Sequence, residues 1–149
     1  MTGFLFELTF WLTVPFWGLM IFAPTWSGTL RIASSPLIAV PPLVLYTGLV
    51  AGHLPELWAT MSSPELGELR EFLGSSWGAS AVWAQVIAWD LLIGAWMYRE
   101  GRRLGVHPLV MGPLLLGTII LSPFGFLVFL VIRWRCDTPD RATSVVTDQ

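Results

Sequence analysis

Lysine is absent from this 149-residue chain, and only 12% of its residues carry a charge, against about 25% in an ordinary soluble domain. Eight arginines face ten carboxylates, a net charge of −2. That balance leaves no basic patch able to neutralise a row of phosphates and excludes a nucleic-acid partner. Cysteine occurs once, as Cys136, so no internal disulfide can form. Its setting, Arg133-Trp134-Arg135-Cys136, just past the last apolar run, is read as that of an inert thiol, with juxtamembrane palmitoylation as the alternative. The chain lacks a glycine-rich phosphate loop, a nucleophile elbow, a His-Glu-x-x-His and a Cys-x-x-Cys, which argues against nucleotide chemistry, serine hydrolysis and zinc chemistry. The two histidines, His53 and His107, lie far apart with no paired cysteine or acid, so no metal site is expected. Positive charges ahead of the first apolar run are also missing, and Glu7 sits inside that run; no cleavable signal is expected.

What the chain does have is apolar sequence, 54% of its residues, arranged in runs. Those runs approach the ~20 residues that cross a ~30 Å hydrocarbon core. The expectation is an all-α, multi-pass membrane protein in an inner, plasma or photosynthetic membrane, with four transmembrane helices forming one domain over 1–136 and a polar tail over 137–149, disordered at its end. The first span runs from Phe4 to Phe22, with Pro15 as a kink and Glu7 either snorkelling to the interface or bonded within the bundle. Ala23 to Ser35 reads as a turn carrying Trp26 at headgroup level. The second span, Pro36 to Gly52, meets Pro41-Pro42 early: either its start is unwound beside a cleft near Tyr46, or the helix begins at Pro42. Between Leu54 and Ser76 lies the longest polar interval, in which Ser63-Pro64-Glu65 followed by Leu66, Leu69, Phe72 and Leu73 predicts a short helix on the membrane surface. An acidic docking surface for another subunit is the alternative for that interval. The third span runs from Ser76 to Tyr98 and the fourth from Pro108 to Ile132, the latter bent at Ser122-Pro123-Phe124-Gly125. Four spans place Arg70, Arg133, Arg135 and Arg141 on one side and Arg31, Arg99, Arg102 and Arg103 on the other, so the positive-inside rule assigns no orientation.

The third span is the centre of the functional reading. Asp90 lies in the middle of Trp83 to Met97, where a charged side chain costs roughly 2.5–3.5 kcal/mol unless other helices or a wet cavity shelter it. Helical spacing puts Trp83, Asp90, Gly94 and Met97 on one face, with Trp89 and Trp96 a heptad apart beside it. Asp90 therefore either glues helices together, with Thr118 or Ser122 as donors, or orients or protonates something bound. Tryptophan is the unusual residue, nine in all, with Trp11, Trp17, Trp83, Trp89 and Trp96 inside spans. Flat aromatic walls suit a long planar apolar ligand, and they also suit close helix packing.

Four blocks carry a family resemblance: Pro15-Phe16-Trp17-Gly18-Leu19-Met20-Ile21-Phe22-Ala23-Pro24, Ser35-Pro36-Leu37-Ile38, Asp90-Leu91-Leu92-Ile93-Gly94-Ala95-Trp96 and Pro123-Phe124-Gly125-Phe126. In order and spacing, over about residues 9 to 134, the chain resembles the neoxanthin-synthase-like family, the abscisic-acid-deficient type of small membrane protein. Plant members are linked to the conversion of violaxanthin, an epoxy-carotenoid, to neoxanthin, so the resemblance implies a carotenoid-like polyene as ligand or substrate. Where the family pattern has a histidine five residues before the aspartate and an arginine just before the final tryptophan, this chain has Gln85 and Ala95. Opening an epoxide by isomerisation wants a proton donor and a stabilising cation, and of that set only Asp90 remains.

The expected function is thus binding of a carotenoid-type pigment, with its isomerase-like modification left open and Asp90 as the catalytic candidate. Trp17, Tyr46, Trp83, Gln85, Trp89, Trp96 and Phe124 are the ligand-binding candidates. No cofactor is obligatory; a carotenoid-type polyene or lipid is the expected guest, and membrane lipids, the pigment and other membrane subunits are the expected partners. The competing expectation is a non-catalytic accessory subunit that packs against a larger pigment-bearing, photosynthetic complex and holds pigment or lipid.

Overall fold

Hydrocarbon offers a backbone no hydrogen-bond partner, so a chain this apolar must satisfy its own N–H and C=O groups. It does so with helices. The computed structural model describes residues 2–63 and 65–144, and among them there is no strand. The helices are α1 (Thr2–Phe22), α2 (Ser27–Ser34), α3 (Val40–Ala51), α4 (Leu54–Ser62), α5 (Leu66–Gly74), α6 (Ser76–Arg103), α7 (Pro108–Ile120) and α8 (Ser122–Ser144), with a 3-10 turn at Pro36–Ala39 before α3.

Two of these, α1 over Gly3–Phe22 and α6, are each long and apolar enough to cross a membrane. They correspond to the expected first and third spans. The helix α1 continues through Pro15, and α6 runs on to Arg103, where Glu100 and Arg103 pair across one turn at 2.8 Å. The expected second span is instead part of a bent pair: Ser27–Ser34 and Pro36–Ala51 meet at 74°. Pro41 and Pro42 fall in the first turn of α3, where a missing N–H costs no intrahelical bond, so they do not unwind it. Nor is Ala23 to Ser35 a plain turn, because it holds α2, tied down by the buried Thr29 hydroxyl donating to the Ala23 carbonyl at 2.8 Å.

The polar interval contains two helices rather than one. Ser63 ends α4, Glu65 precedes α5, and the expected first helical residue, Pro64, lies outside the described residues. Phe72 is the one residue of α4 and α5 classed as buried. The expected tail begins inside α8, and residues 145–149, to which its expected disorder refers, lie outside the described residues.

The expected fourth span is broken in two at Leu121. Pro123 has no N–H to donate back to residue 119, so one helix cannot run through it and it stands instead in the first turn of α8; Leu121 leaves α7 at φ −134°, ψ 61°. The Leu121 carbonyl accepts from the Phe124 and Gly125 N–H groups, both at 3.0 Å, so the turn satisfies its own backbone. Beyond it the chain reverses, and α7 packs against α8. A Cβ on Gly125 would lie 2.9 Å from the Thr118 Cα, although seven residues separate the two.

The chain forms two compact units, Met1–Pro15 with Pro36–Leu91 (unit 1) and Phe16–Ser35 with Leu92–Gln149 (unit 2). In unit 1, Leu49 and Val50 of α3 and Ala81 and Ala84 of α6 form a buried cluster, with Leu5, Tyr46 and Leu57 packed against it. In unit 2, Trp17 is buried on Gly94, where a Cβ would fall 2.6 Å from the indole Cζ3. Gly94 thus admits an indole ring.

Replacing Gly125 with Leu should force the α7–α8 turn apart and destabilise the protein by about 1–3 kcal/mol, the usual cost of overpacking. Gly117→Leu, at a position with nothing within 4 Å, should be tolerated. Thermal unfolding of both variants in mild detergent checks the contrast.

Candidate functional site

The second half of α3 brings Tyr46 to the unit 1 cluster, and helical spacing on α6 sets Ala81, Val82 and Gln85 along the facing stretch. Between them lies a cavity of about 300 Å³, lined by Tyr46, by Leu57 and Met61 of α4, by Phe72 of α5 and by these α6 residues. Two ligand-binding candidates, Tyr46 and Gln85, therefore share one cavity. Its walls are apolar, and its polar groups are a phenol and an amide, each both a donor and an acceptor. Leu57, Met61 and Val82 were missed by the sequence reading. The first two belong to an interval read by its charges, although Phe72 already stood out there by its spacing.

A second, more open cavity of about 470 Å³ lies against α4, α5 and the start of α6, lined by Glu56, Glu68 and Glu71 together with Phe72 and Trp77. His53 stacks on Trp77 at 4.3 Å between ring centroids. The other histidine, His107, caps α7 by accepting the Leu109 N–H at 3.2 Å.

The remaining candidates are dispersed. Trp83 is half-buried and stacks on Phe6 at 5.1 Å, with its indole Nε1 buried and without a hydrogen-bond partner. Trp89 is 59% exposed. Asp90 is half-buried and is not among the residues lining either cavity. In unit 2, Trp17 is spent on packing against Gly94, and Phe124 is exposed at the α7–α8 turn. Trp96 is enclosed by Phe126 and Phe129 at 5.8 and 5.5 Å, with the Arg133 guanidinium 5.7 Å from its ring centroid. Thr118, expected as a donor to Asp90, gives its hydroxyl to the Leu114 carbonyl at 2.8 Å.

The polar network of unit 2 had no counterpart in the sequence reading. Glu100 accepts twice from Arg103, at 2.9 and 2.8 Å, and once from Arg133 of α8 at 2.8 Å. Beside it, the Tyr98 hydroxyl donates to the Pro24 carbonyl at 2.7 Å, and Arg102 donates to the same oxygen. The i,i+3 half of the network could have been found from the spacing of Glu100 and Arg103. Its longer half joins residues 33 apart and leaves no local signal.

The family model described as ABA DEFICIENT 4-like matches residues 4–129. No curated protein and no solved structure matches the chain.

Because Glu100 is the shared acceptor, Glu100→Gln should destabilise the protein by about 1.5–3 kcal/mol, the range for hydrogen bonds to charged groups. Arg103→Gln should cost less than Arg133→Gln, since the Arg103 side chain is 58% exposed and that of Arg133 38%. Unfolding of the three variants in detergent gives the order.

Proposed function

The chain belongs to the ABA DEFICIENT 4-like family, and from that premise we propose a multi-pass membrane protein that binds a carotenoid-type polyene without opening an epoxide on it. The observation that carries this is the unit 1 cavity, in which Tyr46 and Gln85 stand among apolar walls. At about 300 Å³ it is at the small end of ligand pockets. It has room for one ring end of a polyene, the extended chain passing out along the lipid-facing surface. The Tyr46 hydroxyl and the Gln85 amide are suited to hydrogen-bonding a ring hydroxyl.

Binding is favoured over catalysis by what the cavity lacks. Opening an epoxide calls for acid–base groups placed on the ring; the Tyr46 hydroxyl and Gln85 amide can donate hydrogen bonds to its oxygen, but the lining holds no carboxylate, imidazole or guanidinium to carry the proton transfer. The two family positions that would bring ionisable groups are Gln85 and Ala95 here, and Asp90 does not line the cavity. Asp90 then serves as a polar contact within the helix assembly.

A second reading, the accessory subunit, draws on two features. The open cavity lined by Glu56, Glu68 and Glu71 offers an acidic docking surface, and Trp89 presents a flat ring on the outside of α6. A subunit of this kind would co-purify in fixed ratio with its complex in mild detergent, whereas a free-standing binder would purify alone and take up added carotenoid. Trp89→Leu separates the two, because it should weaken complex assembly and leave carotenoid uptake unchanged.

Gln85→Leu and Tyr46→Phe should each weaken retention of a hydroxylated carotenoid by about 1 kcal/mol, roughly fivefold, the worth of one hydrogen bond. Val82→Trp should abolish retention by filling the cavity, while Asp90→Asn should leave it unchanged. Pigment retained per protein after purification in mild detergent is the readout; retention lost with Asp90→Asn and kept with Val82→Trp would sink the proposal.

A further inference from the structure

The path of the chain through unit 2 bears on the membrane sidedness that arginine counting leaves undecided. Met111 and Arg133 are 22 residues apart in sequence. In a straight helix that distance would be about 33 Å, at 1.5 Å per residue. Yet both meet α6 within one residue of each other. The Met111 sulfur lies where it would be 2.8 Å from a Cβ on Gly101, and Arg133 Nε lies 2.8 Å from Glu100. The chain between them therefore goes out and comes back. From Met111 to the turn at Leu121 is ten residues, about 15 Å of helix, half of a ~30 Å hydrocarbon core.

The turn is built for hydrocarbon. Ile120, Leu121 and Phe124 are 77%, 56% and 66% exposed at the tip, and the backbone groups of the reversal are bonded within it. Exposed side chains of this kind in water would form an apolar patch at the end of a hairpin, whereas in lipid they are at home.

We propose that α7 and α8 form a re-entrant hairpin that enters and leaves the bilayer on the side where α6 ends, and that this side faces the cytoplasm. The arginine count follows from the path. Doubling back brings Arg133 and Arg135 to the same side as Arg99, Arg102 and Arg103. Pro24, bonded to Tyr98 and Arg102, places the end of α1 there too, with Arg31 in the helix that follows. Six arginines then share one side. An excess of arginine next to membrane spans marks the cytoplasmic side.

The test is sidedness of labelling with a membrane-impermeant maleimide in bacterial cells producing the full chain. Cys136 serves as one reporter in the wild type. Val106→Cys and His107→Cys, two variants of one loop, serve as the others in a Cys136→Ser background. Cys136 and both loop variants should stay unlabelled in intact cells and label after permeabilisation. Labelling of the loop variants and of Cys136 from opposite sides would overturn the hairpin, because a full crossing would then separate them. Labelling of both in intact cells would overturn the orientation.

Discussion

The contact between Glu100 and Arg133 is the constraint on which unit 2 depends. A carboxylate 14% exposed, accepting from two guanidinium groups, is held in one geometry. The two arginines come from different helices. Breaking such a pair leaves a poorly hydrated charge, which is far more costly than the pair is favourable. Once residue 133 is pinned to the end of α6, the apolar stretch before it has no freedom to cross a bilayer in one pass. The reversal at Leu121, the close approach of Gly125 to Thr118 and the enclosure of Trp96 by Phe126 and Phe129 are then consequences of one path.

Unit 1 is organised differently, around small residues. Ala81 and Ala84 let α6 lie close to Leu49 and Val50 of α3, and above that contact the larger side chains do not fill the space. The result is an apolar cavity with two neutral hydrogen-bonding groups. Chemistry that moves a proton calls for a placed acid or base within hydrogen-bond reach, and the lining residues include no carboxylate, imidazole or guanidinium. Recognition needs less: shape, an apolar wall and one or two placed hydrogen bonds. The lining of this cavity fits the second task better than the first.

How far the sequence could be read follows from the range of each signal. The apolar runs that became α1 and α6 are local and long, and both were legible. Ser122-Pro123 announced a break, since a proline has no N–H with which to continue a helix from the preceding turn. The full reversal was not legible, because it is imposed by Arg133 reaching Glu100 from 33 residues away. The same limit applies to the site. Tyr46 stood out beside two prolines and Gln85 by its place in the family pattern, whereas Leu57 and Met61 sat among glutamates and looked like surface. The tryptophans were conspicuous but their uses were not: Trp17 and Trp96 are packing, Trp83 stacks on Phe6, and Trp89 faces outward. Residue type alone does not separate a ring that packs from a ring that waits for a partner.

Pigment binding is the central claim, and circular dichroism in the visible absorption band of the polyene tests it most directly. A hydroxylated carotenoid is achiral or only weakly dichroic when dispersed in detergent, and it acquires a strong signal when a protein holds it in one twisted geometry. The purified protein mixed with such a carotenoid should show that induced signal, saturating at one pigment per chain. A flat spectrum across the band, from protein shown to be folded by its helical signal, would contradict the account.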